Sequence, residues 1–219
     1  MAAYDWEEQE QLAQLKAFWS RWGQAILWTL TALLLAYAGW HGWQFWQNRQ
    51  ALQGAALLDE LEQAVDGADT DRVQRAWADL QAQAGGTAQA RLGALLAART
   101  LAEAGRAEEA RAALRFVLQR RDDDELAAVA RLRLAGLALD AQQWDEAQRL
   151  LEAPVPTALQ PWRDDRLGDL RQRQGQPEAA REAYLKAWRG LSADIGWRAI
   201  VEAKLNALGV DPSEKEGQP

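Results

Sequence analysis

Side chains able to do acid–base, nucleophilic or metal chemistry are scarce in this chain. There is no cysteine, and the one histidine is His41. Without thiols there is no disulfide, no zinc–thiolate site and no cysteine nucleophile. With no imidazole after residue 41, the rest of the chain offers no histidine base and no histidine metal ligand. His41 lies in or beside an apolar stretch. There it could sense pH or meet a partner helix, or it could be an interfacial side chain with no special task. The densest carboxylate run, Asp122-Asp123-Asp124-Glu125, lacks the alternating spacing and the glycine of a calcium loop. Its expected place is a helix N-terminus, where acidic groups interact favourably with the dipole. Trp162-Arg163-Asp164-Asp165-Arg166 joins an indole to charges of both signs. It reads either as part of a binding face or as a solvated helix start anchored by Trp162. No glycine-rich phosphate loop follows a strand. A net charge of −7 disfavours a nucleic-acid partner, which requires a basic face. The expectation is a protein that binds other proteins, with no catalytic residues, no cofactor and no metal.

Ala, Leu, Gln, Arg and Glu dominate, prolines number 6, and β-branched residues are few, so an all-α fold is expected. The tryptophans need a local cause. There are 12, and Trp6, Trp19, Trp22, Trp28, Trp40, Trp43 and Trp46 crowd the first fifth of the chain. No charged side chain stands between Arg21 and Arg49. Ala25 to Trp43, as a helix, rises about 28 Å, close to the hydrocarbon thickness of a bilayer. Trp22 and Trp28 lie towards one end, and Trp40, Trp43 and Trp46 at the other, as interfacial indoles do. A buried core helix would rarely be free of charge for so long. Ala36-Tyr37-Ala38 fits a signal-peptide cleavage pattern, but the preceding segment carries Asp5, Glu7, Glu8 and Glu10 where a leader is basic. Lys16 and Arg21 on one flank against Arg49 on the other favour a cytoplasmic N-terminus. In a bacterium with two membranes, the C-terminal part would then be periplasmic. Ahead of the span, Leu12, Leu15, Phe18, Trp19 and Trp22 share one helical face. They form either an amphipathic helix on the membrane surface or a continuation of the span.

From Leu52 onward, apolar residues recur every three to four positions. The spacing predicts helices at 52–65, 70–83, 89–104, 107–119, 125–141, 144–152, 162–174, 177–191 and 195–208. Gly67, Gly85, Gly86, Gly105, Gly175 and Gly209 punctuate them, and Asp69, Thr70 and Asp194 are placed to cap N-termini. Three stretches align without gaps: GRAEEARAAL from Gly105, QQWDEAQRLL from Gln142 and GQPEAAREAY from Gly175. Their starts are 37 residues (105 to 142) and 33 residues (142 to 175) apart, on either side of the 34-residue tetratricopeptide period. Each has a turn residue, a small Ala110, Ala147 or Ala180 where helices cross, and a larger Leu114, Leu151 or Tyr184 to fill the groove. The middle stretch lacks the turn glycine, and the third has Asp164 where an aromatic is usual. A last helix with Trp197, Ile200, Val201, Leu205 and Leu208 would cap the exposed core. The expected organisation is residues 1–24 as a cytoplasmic segment, 25–46 as the anchor, 47–210 as the periplasmic helical-hairpin domain and 211–219 as a disordered tail.

This order of parts, with Leu15-Lys16-Ala17-Phe18-Trp19, Gly39-Trp40 and Leu167-Gly168-Asp169-Leu170, resembles the bacterial ancillary SecYEG translocon subunits. These are single-span inner-membrane proteins with a tetratricopeptide-like periplasmic domain. The resemblance covers almost the whole chain but includes no catalytic fingerprint. It implies association with the SecYEG channel and with a membrane-anchored periplasmic chaperone of prolyl-isomerase type, assisting exported chains. Two other roles stay open: a regulator of an envelope stress response, and a scaffold for envelope protein assembly, against which the missing lipobox cysteine counts. On the repeat alignment, the inner faces of the first helices would contact a partner through Arg99, Glu103, Asp140, Trp162, Asp165, Asp169 and Arg173.

Overall fold

The computed structural model describes residues 3–119, 124–194 and 196–212, with side chains from residue 16 onward apart from that of Asp124. The chain divides into two compact units, Met1–Leu52 and Gln53–Pro219. Nine helices follow one another among the described residues: α1 (Ala3–Asp66), α2 (Thr70–Ala84), α3 (Ala88–Glu103), α4 (Ala107–Leu118), α5 (Asp124–Asp140), α6 (Trp144–Glu152), α7 (Gln160–Arg173), α8 (Pro177–Gly190) and α9 (Gly196–Ala207). One 3-10 turn, Thr157–Leu159, follows Pro154 and Pro156. The expected all-α class is observed.

The first unit is helix α1 up to Leu52. Its apolar window is long enough to cross a membrane, and none of that window is buried within the protein. From residue 22 to 48, every side-chain position except Gly23 is exposed. An exposed apolar helix surface of that extent gains free energy by contact with hydrocarbon or other apolar surface. The threonine hydroxyls within it are satisfied by the helix itself. Thr29 donates to the Ala25 carbonyl and Thr31 to that of Leu27, each at 2.8 Å. Trp22, Trp28, Trp40, Trp43 and Trp46 are all more than half exposed, free to present indole to an interface. The helix expected to begin at Leu52 does not begin there. α1 runs on to Asp66, because residues 47–53 hold mostly good helix formers, with no glycine or proline to stop it and Asn48 alone of the capping type. The segment ahead of the span continues the same helix. The faces of Leu12 and Leu15 lie outside the described side chains, as does the expected tail after residue 212.

In the second unit, the helices pair as hairpins: the end of α1 with α2, then α3 with α4, α5 with α6 and α7 with α8. The turn between partners repeats. Gly105 and Gly175 take left-handed φ values of 77° and 72°, and Gln142 takes 58° at the matching position. In each turn the next amide closes back on a carbonyl five residues earlier. Arg106 reaches Leu101 at 2.8 Å, Gln143 reaches Ala138 at 2.8 Å and Gln176 reaches Arg171 at 2.9 Å. The first hairpin does the same at Ala68, with φ 51° and Asp69 bonding the Ala64 carbonyl at 3.2 Å. Left-handed backbone therefore falls on Ala68, not on the expected Gly67. The Asp69 side chain caps α2 by accepting from the Arg72 amide at 3.0 Å, whereas Thr70 is the first helical residue. Thr87 caps α3. Asp194 precedes Ile195, which lies outside the described residues.

Packing follows the repeat. Ala110, Ala147, Ala180 and Tyr184 are buried completely, and Leu114 and Leu151 almost so. The core consists of three clusters, joined where Leu150 touches the first two and Trp162 the last two. Helix α9 closes the end with buried Val201 and Leu205, while Ile200 stays exposed. Gly168 marks a close crossing: a Cβ there would lie 2.4 Å from the Tyr184 ring, as one at Gly93 would from Leu80.

Candidate protein-binding groove

Stacked hairpins place their first helices side by side. Helix α3 touches α5, and α5 touches α7. Two adjoining cavities open along this row. One, of about 470 Å³, is lined by Arg99 and Glu103 of α3, Arg133, Gly136 and Asp140 of α5, Arg166 of α7 and Trp197 of α9. The other, of about 380 Å³, is lined by Val129, Leu132, Arg133, Leu159, Trp162, Asp165, Arg166 and Trp197. Arg133, Arg166 and Trp197 belong to both, so the cavities form one groove with a polar half and an aromatic half. A third cavity, of about 380 Å³ at the start of α6, shares none of these side chains.

Helix α9 reaches the groove through a polar network. The Trp197 ring lies 5.3 Å from that of Trp162, and its Nε1 donates to Asp165 at 3.2 Å. Lys204 donates to Asp165 and to Asp169, each at 2.7 Å. Arg166 donates to the other oxygen of Asp169 at 3.1 Å and sits 5.8 Å from the Trp197 ring. Tyr184 donates to Asp169 at 2.8 Å, with the side-chain oxygen of Gln172 at 2.9 Å. Asp165 is only 1% exposed, and Lys204 and Trp197 satisfy its two carboxylate oxygens. Burial of Tyr184, then the charge of Asp169 and its hydrogen bond, push the phenol well above its usual range. The Arg133 guanidinium is pushed the other way, first by desolvation within the groove and then by Arg99. It stays cationic at any physiological pH.

The sequence-predicted residues divide by place. Arg99, Glu103 and Asp140 line the polar cavity, and Trp162 and Asp165 the aromatic one. Asp169 and Arg173 lie beside them. Asp169 is held by Lys204, Tyr184 and Arg166, and Arg173 donates to Asp140 at 3.2 Å and to the Leu139 carbonyl at 2.9 Å. Arg99 pairs with Glu103 at 2.9 Å. The sequence reading did not select Arg133, Arg166 or Trp197. A signal for the two arginines existed: each stands nine positions before a turn residue (133 to 142 and 166 to 175). Trp197 was assigned to the capping core, with nothing in its spacing to mark it as a groove residue.

Among the described residues, no three His, Cys, Asp or Glu side chains cluster to hold a metal. Asp165 and Asp169 are both engaged as acceptors. What the groove offers is shape, two indoles and fixed charges, which suit recognition.

A family model described as a tetratricopeptide repeat-like domain matches residues 16–210. The "Ancillary SecYEG translocon subunit" of Neisseria gonorrhoeae (strain ATCC 700825 / FA 1090) is 30% identical over 206 residues, which cover 92% of this chain and 97% of that protein. The crystal structure of MamA protein matches with a TM-score of 0.52 at 17% identity, covering 74% of this chain and 93% of that one. The last likeness is one of fold alone.

Proposed function

The chain belongs to the tetratricopeptide repeat-like family and, within it, to the ancillary SecYEG translocon subunits, and from that premise we propose that it binds the SecYEG export channel as a non-catalytic subunit. The observation that carries this reading is the extent of the match to the gonococcal protein, which takes in 97% of that protein's length. The apolar part of α1 supports an inner-membrane anchor. Lys16 and Arg21 ahead of it support a cytoplasmic N-terminus and a periplasmic hairpin domain. Anchoring in the membrane that holds the channel raises the local concentration of the domain, so a weak contact suffices.

On this reading, the groove presents Arg99, Glu103, Asp140, Trp162 and Asp165 to a partner, with Asp169 and Arg173 fixing the walls. The partner is a membrane-anchored periplasmic chaperone of prolyl-isomerase type, brought to the channel exit. Native purification from membranes in mild detergent, with the tag at the C-terminus, tests it. Recovery of the channel together with such a chaperone is the expected result. Recovery of a signalling protein or an assembly machine without the channel would replace this reading with a stress-regulator or scaffold role.

A further inference from the structure

Resting on the reading of this groove as a protein-binding surface, we propose that the junction of its two cavities, at Arg133, seats an Asp or Glu side chain of an extended partner segment, with a neighbouring aromatic or large aliphatic residue against Trp162 and Trp197. The charges of the groove lead to this occupant. Four carboxylates stand along it, and each already has a cation. Glu103 has Arg99, Asp140 has Arg173, Asp165 has Lys204, and Asp169 has Lys204 and Arg166. Of the cations along the groove, Arg133 is the one with no carboxylate partner among the described residues. Its hydrogen bond goes to the Leu95 carbonyl, at 2.6 Å. A guanidinium has five N–H donors in a planar fork, so most of its capacity is unspent.

Two further features favour an anion there. Partial desolvation disfavours the charge on Arg133, and the nearby Arg99 adds to that. An incoming carboxylate would offset both with its opposite charge and pair with the fork in two-pronged geometry. Arg133 and Arg166 also share a repeat register, so the stack aims two guanidinium groups at one junction. Beside it lie Val129, Leu132, Leu159 and the two indoles, a surface for a large apolar side chain. The occupant is a polypeptide segment because the groove crosses three helices. Packed helices lie 8–10 Å apart, so the row spans about 20 Å, the length of about six extended residues.

Selection from a pool of randomised ten-residue peptides on the full-length chain in lipid nanodiscs tests the proposal. The net charge of −7 means that diffuse attraction would enrich basic peptides, so acidic enrichment reports a local site. The expected winners hold Asp or Glu next to Phe, Tyr, Trp or Leu. Changing that acid to its amide should weaken binding about tenfold or more. Arg133→Gln should weaken it similarly and make the peptide indifferent to the acid-to-amide change, and Arg133→Lys should retain part of the affinity. Arg133 is exposed, and circular dichroism checks that the variants fold. Basic or neutral winners, no enrichment, or an amide penalty undiminished in Arg133→Gln would overturn the proposal. If the wild-type chain still captures the channel while the peptides fail, the acidic seat falls and the translocon reading stands. Loss of channel capture would be the separate failure of that reading.

Discussion

Replacing Lys204 by Met should loosen α9 more than its position near the end of the chain would suggest. Lys204 lies 2.7 Å from both Asp165 and Asp169, and Asp165 is 1% exposed. With the ammonium gone, Asp165 keeps only the indole N–H of Trp197 among the described residues, while Asp169 keeps Tyr184 and Arg166. Removing one partner of a buried ion pair costs about 3–5 kcal/mol. The lysine is 24% exposed and Asp169 stays partnered, so about 2–4 kcal/mol is expected here. Chemical unfolding in detergent, followed by circular dichroism, should place the midpoint about 1–2 M urea lower. Lys204→Met combined with Asp165→Asn should recover at least about 1 kcal/mol, because no uncompensated charge is then buried. A single-variant loss under about 0.5 kcal/mol, or a strictly additive double variant, would refute the claim that this network holds α9 against the groove.

Three further outcomes follow from the same geometry. The raised phenol of Tyr184 stays protonated in the folded protein while the unfolded chain ionises from about pH 10. Its contribution is therefore intact below that pH and is lost as pH rises above it, by about 1.4 kcal/mol per unit. The difference in stability between wild type and Tyr184→Phe, measured from pH 8 to 11, should shrink accordingly. Gly168→Ala puts a methyl 2.4 Å from the Tyr184 ring and should cost about 1–3 kcal/mol in a thermal unfolding series. Gln142→Gly, at φ 58°, should raise stability by about 1 kcal/mol, which urea unfolding would detect.

The hairpins were legible because their punctuation is local. Gly105 and Gly175 announce left-handed turns, and the helix after each carries an alanine at the crossing. Gln142 was placed correctly by register alone, and the backbone there is left-handed as the register requires. The first hairpin escaped the repeat alignment because Ala68 stands where glycine would signal the turn and Val73 where alanine would signal the crossing. The continuity of α1 was missed for a different reason: the composition changes near residue 47, but a change of composition does not break a helix where no glycine or proline stands. At the groove, the first-helix faces were chosen on register, and five of the seven chosen residues line it. Trp197 was invisible because its place depends on α9 folding back onto α7 through contacts more than thirty positions apart, such as Trp197 with Asp165. No periodicity encodes a contact of that kind.

The most direct test of the central claim is quantitative mass spectrometry of the natively purified chain, expressed at its own level and tagged at the C-terminus. A subunit of the export channel should bring down the SecYEG proteins in amounts close to its own. Channel proteins absent, or present only in traces while another membrane assembly is recovered in full, would contradict the account.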